Sequence, residues 1–212
     1  MADSLMANTS SAPKQARSKQ TKEKIIQAAI ALIQQRGYEK TTSNDIAAEA
    51  GVSVGSFYTY FQDKRQLLLA IFDRLTDEFS KNIFETIGPE HLFDSDVRAN
   101  IRHSVASALD DKGVFLGIRR AIHEMVMKDV EFADRRKAIM QRSISKLREL
   151  ISLAKKAGLT CDVEPETAAF IVHRVVFDLS QDYITGFCDF DKERAIDALS
   201  DMIYRYVFKP KA

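Results

Sequence analysis

Residues that break helices are scarce in this sequence. Its 212 residues include eight glycines, four prolines and no tryptophan. So few breakers exclude a chain dominated by long loops and tight turns, and they favour helices. The hydrophobic content of 45% suffices for a sizeable core. We find no internal repeat and no alternating strand pattern bounded by turn residues, so we predict an all-α fold.

Cysteines and long apolar runs are also lacking. The two cysteines, Cys161 and Cys188, lie far apart without metal-ligand spacing, which indicates reduced thiols. No uncharged apolar run approaches the ~20 residues that cross a bilayer. The N-terminal sequence has no apolar run of the signal-peptide kind. We therefore expect a cytoplasmic protein with no membrane partner.

Clusters of residues with catalytic chemistry are missing too. The four histidines form no H-x-x-x-H or E-x-x-H pair: His91, His103, His123 and His173. The G-x-S-x-G pattern at 51–55 would need a preceding strand in a hydrolase, and an alanine-rich helix precedes it here. We predict no enzymatic activity, no metal and no cofactor. A helical enzyme is kept as one further hypothesis. Bound metal, or an activity that is lost in Ser53→Ala, would support it.

Hydrophobic periodicity divides the chain into helical segments. Residues 1–16 are small and polar and are interpreted as a mobile tail. The next helix ends at Gly37 and carries one apolar face: Ile25, Ile26, Ala29, Ile30 and Ile33. Two short helices follow at 42–50 and 53–61, with Thr42 and Ser53 as N-caps, and Asp63 caps a longer one at 64–87. Further helices are predicted near 95–110, 114–128, 131–157, 166–187 and 192–208.

The stretch GVSVGSFYTYFQDK (51–64) combines small residues with aromatic ones. On a helical wheel Phe57 and Phe61 share a face, which assigns them to the core. Gly55 lies on the opposite side with two small polar residues, and it costs about 1 kcal/mol relative to alanine in a helix. Close approach of another molecule is the usual reason to accept that cost. Two short helices joined by the turn GVS form a helix-turn-helix pattern, whose second helix enters the major groove of DNA.

Residues 20–72 resemble the DNA-binding domain of TetR-family transcription regulators. The resemblance lies in the pattern IIQAAIALIQQRGYEKTTSNDIAAEAGVSVGSFYTYFQDKRQLL, in which several motifs agree at fixed spacing. It implies an N-terminal three-helix helix-turn-helix DNA-binding domain at 17–65. It also implies a C-terminal helical-bundle domain at 66–212 for ligand binding and dimerisation.

The resemblance also implies roles for individual residues. Thr42 and Ser43 resemble phosphate contacts, and Lys64 resembles a phosphate clamp. The residues that resemble the groove-facing set are Ser53, Val54, Gly55, Ser56 and Thr59. Tyr58 and Tyr60 resemble backbone and base-edge contacts. Val54 stands where many relatives carry a polar or basic residue, so a thymine-methyl contact and simple packing both stay open. The basic segment with Arg17, Lys19 and Lys22 either extends this surface or is only solvated.

The C-terminal region is rich in phenylalanine and methionine, which are typical both of a bundle core and of a pocket for an apolar or amphipathic small molecule. The candidate pocket residues are His103, Phe115, His123, Met127, Met140, Phe170 and Phe177. The helix at 166–187 is apolar on more than one face: Phe170, Ile171, Val172, Val175, Val176, Leu179, Tyr183 and Ile184. Such a helix has to be covered on two sides.

We predict a homodimer formed through the helices near 166–187 and 192–208. As a whole, the sequence indicates a transcriptional regulator that binds double-stranded DNA at a palindromic operator. The resemblance favours a repressor released by a small-molecule effector. The alternative is a DNA-binding regulator or architectural protein without such an effector. A solvent-accessible cavity distinguishes the two.

Overall fold

Nine helices make up most of the part of the chain that the computed structural model describes, which is residues 11–86, 88, 96–109 and 116–209. In chain order they are α1 (Ser11–Arg36), α2 (Ser43–Glu49), α3 (Val54–Tyr60), α4 (Lys64–Thr86), α5 (Val97–Leu109), α6 (Leu116–Lys128), α7 (Val130–Lys156), α8 (Pro165–Thr185) and α9 (Lys192–Val207). An isolated bridge between Thr160 and Phe208 is the β-type pairing seen in this part. The all-α prediction is confirmed, and apart from the start of α1 the predicted helix ends lie close to the observed ones.

Helix α1 begins earlier than predicted. The interpretation of 1–16 as a tail rested on polarity, whereas α1 already starts at Ser11. Pro13 suits the first turn of a helix, because its fixed φ is helical and its missing N–H needs no acceptor there. Residues 15–20 are exposed, so this part of α1 has no apolar stripe to reveal it in the sequence.

The described residues form two compact units. The first contains the residues up to Phe72 together with 116–123. Its core is built from one face of α1, the inner sides of α2 and α3, and the start of α4; the largest fully buried side chains are Ile25, Ile33, Ile46, Phe57, Leu67, Leu68, Ile71 and Ile118. The short helices α2 and α3 are therefore held by tertiary packing rather than by their own propensity.

The second unit contains the described residues between 73 and 109 together with 124–209. In it α7 packs on α8, and α5 packs on α8 and α9. Their shared core includes Val105, Leu109, Ala154, Ala169 and Ile196. On the surface Arg102 of α5 binds Asp197 and Glu193 of α9 at 2.7 and 2.8 Å. In the part of the chain that the structure describes, no helix has the length and apolarity needed to span a membrane.

Candidate DNA-binding interface

Helix α2 starts with a complete capping box. The Thr42 side chain accepts the Asp45 backbone N–H, and the Asp45 carboxylate accepts the Thr42 backbone N–H at 2.9 Å. Arg36, in the last turn of α1, binds the same carboxylate at 2.7 Å. The box was predicted from Thr42 and Asp45 alone and is confirmed. The arginine that joins it to α1 was not foreseen, because the sequence gives no sign that the two helices meet there.

The charge of Asp45 gives a testable pH dependence. Its hydrogen bonds with the Thr42 hydroxyl and then the Thr42 N–H, together with Arg36, hold the pKa of Asp45 below its usual 3.8. A depressed pKa stabilises the fold above the unfolded-state pKa, and that stabilisation is lost as pH falls through the folded-state pKa. Asp45→Asn is therefore expected to lower the protection of the α2 amides at pH 6–7 and to match the wild type once the pH is well below 3.8.

Hydrogen exchange of the α2 backbone amides, corrected for its intrinsic pH dependence, measures this difference. Asparagine keeps an oxygen that can accept from Thr42, so the comparison isolates the charge. A protection difference that stays constant from pH 7 to well below the usual pKa of 3.8 would contradict the assignment.

The turn between α2 and α3 depends on one glycine. Gly51 has φ +66°, in the left-handed region where a side chain is strained. Its N–H donates to the Ala48 carbonyl, and the Val52 N–H donates to the Ala47 carbonyl at 3.0 Å. This pair of hydrogen bonds closes the end of α2 in the manner of a Schellman motif. The chain then turns directly into the next helix.

Helix α3 is capped and anchored as predicted. Ser53 is its N-cap, and the Ser53 Oγ accepts the Ser56 backbone N–H at 3.0 Å. Phe57 is fully buried and Phe61, which follows the helix, is 3% exposed. Their rings lie 6.0 Å apart. The core side of this short helix is thus fixed by two aromatic rings, and the other side is left for solvent.

The outer side of α3 is small, polar and open. Tyr58 is 53% exposed and Val54 is 41% exposed. A Cβ added at Gly55 would meet nothing nearer than the Ser53 Oγ at 3.9 Å. The Thr59 hydroxyl donates to the Gly55 carbonyl at 3.0 Å, so it is held close to the helix surface. The outer side of α3 is therefore a surface of small side chains from which the Tyr58 ring projects.

The predicted DNA-contact residues lie on or beside these two helices. Those that are exposed are Thr42, Ser53, Val54, Gly55, Tyr58 and Thr59, and those that are half-buried are Ser43, Ser56, Tyr60 and Lys64. The structure therefore places the set along α2, the turn, α3 and the first residue of α4. Their individual DNA contacts stay predictions.

Lys64 is bound to the protein itself. Its ammonium donates to the Tyr38 carbonyl at 2.8 Å and lies 4.1 Å from the centre of the Tyr38 ring. Burial lowers the pKa of Lys64, and the neighbouring Glu39 carboxylate opposes that shift. Lys22 similarly lies over the Phe61 ring, 5.5 Å from its centre. Both lysines therefore brace the domain, a role that the basic residues of the sequence do not reveal.

The predicted ligand-binding residues are spread over several helices. His103, His123, Met127 and Phe170 are exposed, whereas Met140 and Phe177 are half-buried. Phe115 lies outside the described residues. His123 falls in the first compact unit, and the other described members fall in the second. As a set, the predicted pocket residues stay a prediction.

A small polar cluster surrounds Phe177 on α8. His173, which was left out of the predicted pocket set, stacks on the Phe177 ring at 5.8 Å, and the Arg136 guanidinium of α7 lies 5.2 Å from that ring's centre. The His173 Nδ1 is buried and has no hydrogen-bond partner among the described residues. Burial, and then the charge of Arg174, lower the pKa of His173, which favours its neutral form. Such a nitrogen can accept or donate one hydrogen bond to a bound molecule.

Geometry and fold together define a helix-turn-helix DNA-binding protein. Residues 25–71 match the sequence profile of the family described as bacterial regulatory proteins, tetR family. YhgD of Bacillus subtilis (strain 168), an uncharacterized HTH-type transcriptional regulator, is 26% identical over 89% of this chain and 95% of its own length. Residues 25–71 therefore form a DNA-binding domain of the TetR family, and the relatives and fold of the chain are those of transcriptional regulators rather than of enzymes.

Solved structures extend the likeness beyond the DNA-binding domain. A Mesorhizobium loti protein assigned to the TetR family superposes with a TM-score of 0.75 at 20% identity, over 91% of this chain and 99% of that one. SmeT, the repressor of the Stenotrophomonas maltophilia multidrug efflux pump SmeDEF, was solved with triclosan. The triclosan complex superposes with a TM-score of 0.66 at 22% identity, over 89% of this chain and 92% of that one. At these identities the likeness establishes the helical fold alone.

Proposed function

We propose that the protein is a homodimeric repressor that binds a palindromic operator and is released from it by a small apolar or amphipathic molecule. It acts in the cytoplasm. We place its DNA-binding domain at 17–65 and its domain for ligand binding and dimerisation at 66–212. The observation that carries the proposal is that the outer side of α3 is exposed and carries mostly small side chains. A helix with this shape can enter a major groove without its own side chains in the way.

The contacts within the groove follow from the exposed positions. The Tyr58 ring projects from α3, and its hydroxyl can reach a phosphate or a base edge. Val54 offers a methyl surface to a thymine. Lys64 has three N–H donors, so its bond to the Tyr38 carbonyl leaves capacity for a phosphate oxygen. Thr42 and Ser43, at the start of α2, lie where the first helix of such a motif crosses the DNA backbone.

Dimerisation is supported by the outer faces of α8 and α9. Large apolar side chains are exposed on both helices: Phe170, Ile171, Val175, Met202 and Tyr206. Their neighbours Val172 and Ile203 are buried in the core of the second unit, so both helices are apolar on two sides. The Ile184 side chain lies outside the described residues. A second copy related by two-fold symmetry covers this face and sets two α3 helices about one DNA turn, ~34–36 Å, apart.

Response to an effector is supported by unused polar groups inside the second unit. The Ser104 Oγ and the His173 Nδ1 are both buried without a hydrogen-bond partner among the described residues. Leaving such groups unpaired costs free energy, which a bound polar group recovers. SmeT, with the same fold, has been solved in complex with triclosan. We place the effector among the helices that carry Met140, Phe170 and Phe177, with His103, Phe115, His123 and Met127 as further candidates.

Operator binding is tested with DNA from upstream of the protein's own gene. Tyr58→Ala is expected to weaken binding by about tenfold, and Tyr58→Phe by less if the ring contributes as well as the hydroxyl. Both variants should keep the wild-type elution volume, because Tyr58 belongs to the first compact unit and the proposed dimer helices α8 and α9 belong to the second. Lys64→Gln should reduce the dependence of log affinity on log salt by about one if Lys64 binds a phosphate.

The same assay tests release by a ligand. Triclosan is the first probe, and a lower operator affinity in its presence supports an amphipathic effector. Wild-type affinity for the upstream DNA equal to that for scrambled DNA would contradict operator binding. Tight operator binding that triclosan and a panel of related phenols leave unchanged favours the regulator without a small-molecule effector.

A further inference from the structure

Gly117, the second residue of α6, lies directly against the backbone of α1. Its N–H donates to the Gln34 Oε1 at 2.8 Å. A Cβ built at this position would lie 2.8 Å from the Ile33 carbonyl oxygen and 3.0 Å from the Gln34 Cα. Both of these atoms belong to the backbone, which cannot swing aside as the end of a long side chain can. Only glycine lets α6 come this close to α1.

Gly117 is needed here for its size and not for its backbone conformation. It is absent from the glycines with positive φ, so an alanine would fit its helical backbone. The N–H of the second residue in a helix has no acceptor within that helix. The Gln34 side chain supplies one, so that a contact between two helices also serves as a cap. We call this contact, formed by Gly117, Ile33 and Gln34, the α1–α6 clasp.

The start of α6 is a structural part of the DNA-binding unit. Ile118 is fully buried and Ala121 is 4% exposed. Residues 116–123 cluster with the chain up to Phe72, although Gly117 follows Gln34 by 83 positions in the sequence. From residue 124 onward the same helix belongs to the second unit.

The clasp lies at the end of α1 that touches α2. The Ile33 carbonyl, which a Cβ at position 117 would strike, accepts the Gly37 N–H at 2.9 Å and closes α1. Arg36, in the same turn, binds the Asp45 carboxylate of the α2 capping box at 2.7 Å. A shift of the last turn of α1 therefore moves the start of α2, the first helix of the helix-turn-helix.

We propose that Gly117 is a positioning residue for DNA binding. Its close contact with the last turn of α1 fixes the orientation in which α2 and α3 meet the operator. The inference rests on the proposed function, since it takes operator binding as given.

Three single variants test the clasp. Gly117→Ala adds the obstructing Cβ, Gln34→Ala removes the hydrogen bond, and Gln35→Ala is the control on the neighbouring exposed glutamine. The measurement is the ratio of affinities for the upstream DNA fragment and for a scrambled fragment, taken where circular dichroism shows the protein fully folded. We expect the ratio to fall about tenfold in Gly117→Ala, about threefold in Gln34→Ala and not at all in Gln35→Ala.

A double variant sharpens the test. The added Cβ meets backbone atoms, so shortening Gln34 does not relieve it. Gly117→Ala combined with Gln34→Ala is thus expected to behave like Gly117→Ala alone, because the hydrogen bond is already lost. A double variant whose ratio falls by the product of the two single effects contradicts a shared contact.

The ratio separates positioning from simple loss of fold. Equal weakening on both DNA fragments, or wild-type ratios in both Gly117→Ala and Gln34→Ala, overturns the positioning role. If Gly117→Ala does not fold, the comparison of Gln34→Ala with Gln35→Ala decides. If the wild-type protein itself shows no preference for the upstream fragment, it is the proposed function that fails, and the positioning role falls with it.

Discussion

Replacing Gly55 by alanine and then by leucine is expected to weaken operator binding in two steps while leaving the free protein at least as stable. In the free protein an added Cβ meets nothing closer than the Ser53 Oγ at 3.9 Å. Alanine is the better helix former, so the free energy of unfolding should rise by up to about 1 kcal/mol. In the proposed complex the same Cβ would occupy the space where α3 approaches the DNA. We expect about a tenfold loss of affinity for alanine, or ~1.4 kcal/mol, and about 100-fold for leucine.

The opposite signs of the two effects make the result specific. A variant that merely damages the domain loses stability and affinity together, whereas these variants should separate them. Ala31→Leu is a suitable control, because Ala31 is an exposed position on α1 of the same unit. Thermal unfolding and a fluorescence-anisotropy titration with the upstream DNA measure both quantities. Wild-type affinity in Gly55→Leu would show that the outer side of α3 does not face DNA.

Placing a charge on the outer face of α8 is expected to produce the second large effect. Val175 is 37% exposed and lies one helical turn from Ile171, which is 39% exposed. An aspartate there would be buried against its symmetry mate in the proposed dimer, where two like charges without partners are costly. Val175→Asp should therefore elute as a monomer. Its operator affinity should fall more than about 100-fold, because the two half-sites are no longer bound by one linked molecule.

The chain offers a matched control for this substitution. Val130, the first residue of α7, is 78% exposed, more than Val175. An aspartate in the first turn of a helix interacts favourably with the helix dipole, so Val130→Asp should remain folded. It should also keep the wild-type elution volume and operator affinity. A dimeric Val175→Asp protein, seen by light scattering at micromolar concentration, would mean that the two copies associate through some other surface.

The helix caps of the DNA-binding domain could be predicted from the sequence. Thr42 and Asp45 form the predicted capping box, and Ser53 caps α3. The Asp63 carboxylate accepts the Gln66 N–H at the start of α4. Each of these bonds joins residues three positions apart, so spacing alone specifies it. Burial of Phe57 followed in the same way, because a helix places residues four apart on one face.

Contacts between residues that lie far apart in the sequence could not be predicted from it. Gln34 is an exposed polar residue outside the apolar face of α1, yet it accepts the N–H of Gly117 from α6. Lys64 was predicted to bind a DNA phosphate, whereas in the structure its ammonium donates a hydrogen bond to the Tyr38 carbonyl. A glutamine or lysine on a helix surface has the same sequence pattern whether its partner is water, a phosphate or another helix. The partner is chosen by the packing of segments that the sequence does not order in space.

By itself, the sequence determined that the chain is helical, where its helices begin and end to within a turn except at the start of α1, and that α8 is apolar on two sides. Periodicity carries that information because neighbours along a helix are fixed by 3.6 residues per turn. Only the tertiary structure decided which side of α8 is already covered, with Val172 buried in the core while Phe170 and Ile171 are exposed. Which side is covered depends on which helices pack against α8. The packing free energy comes from contacts throughout the unit, so no single segment of the sequence specifies it.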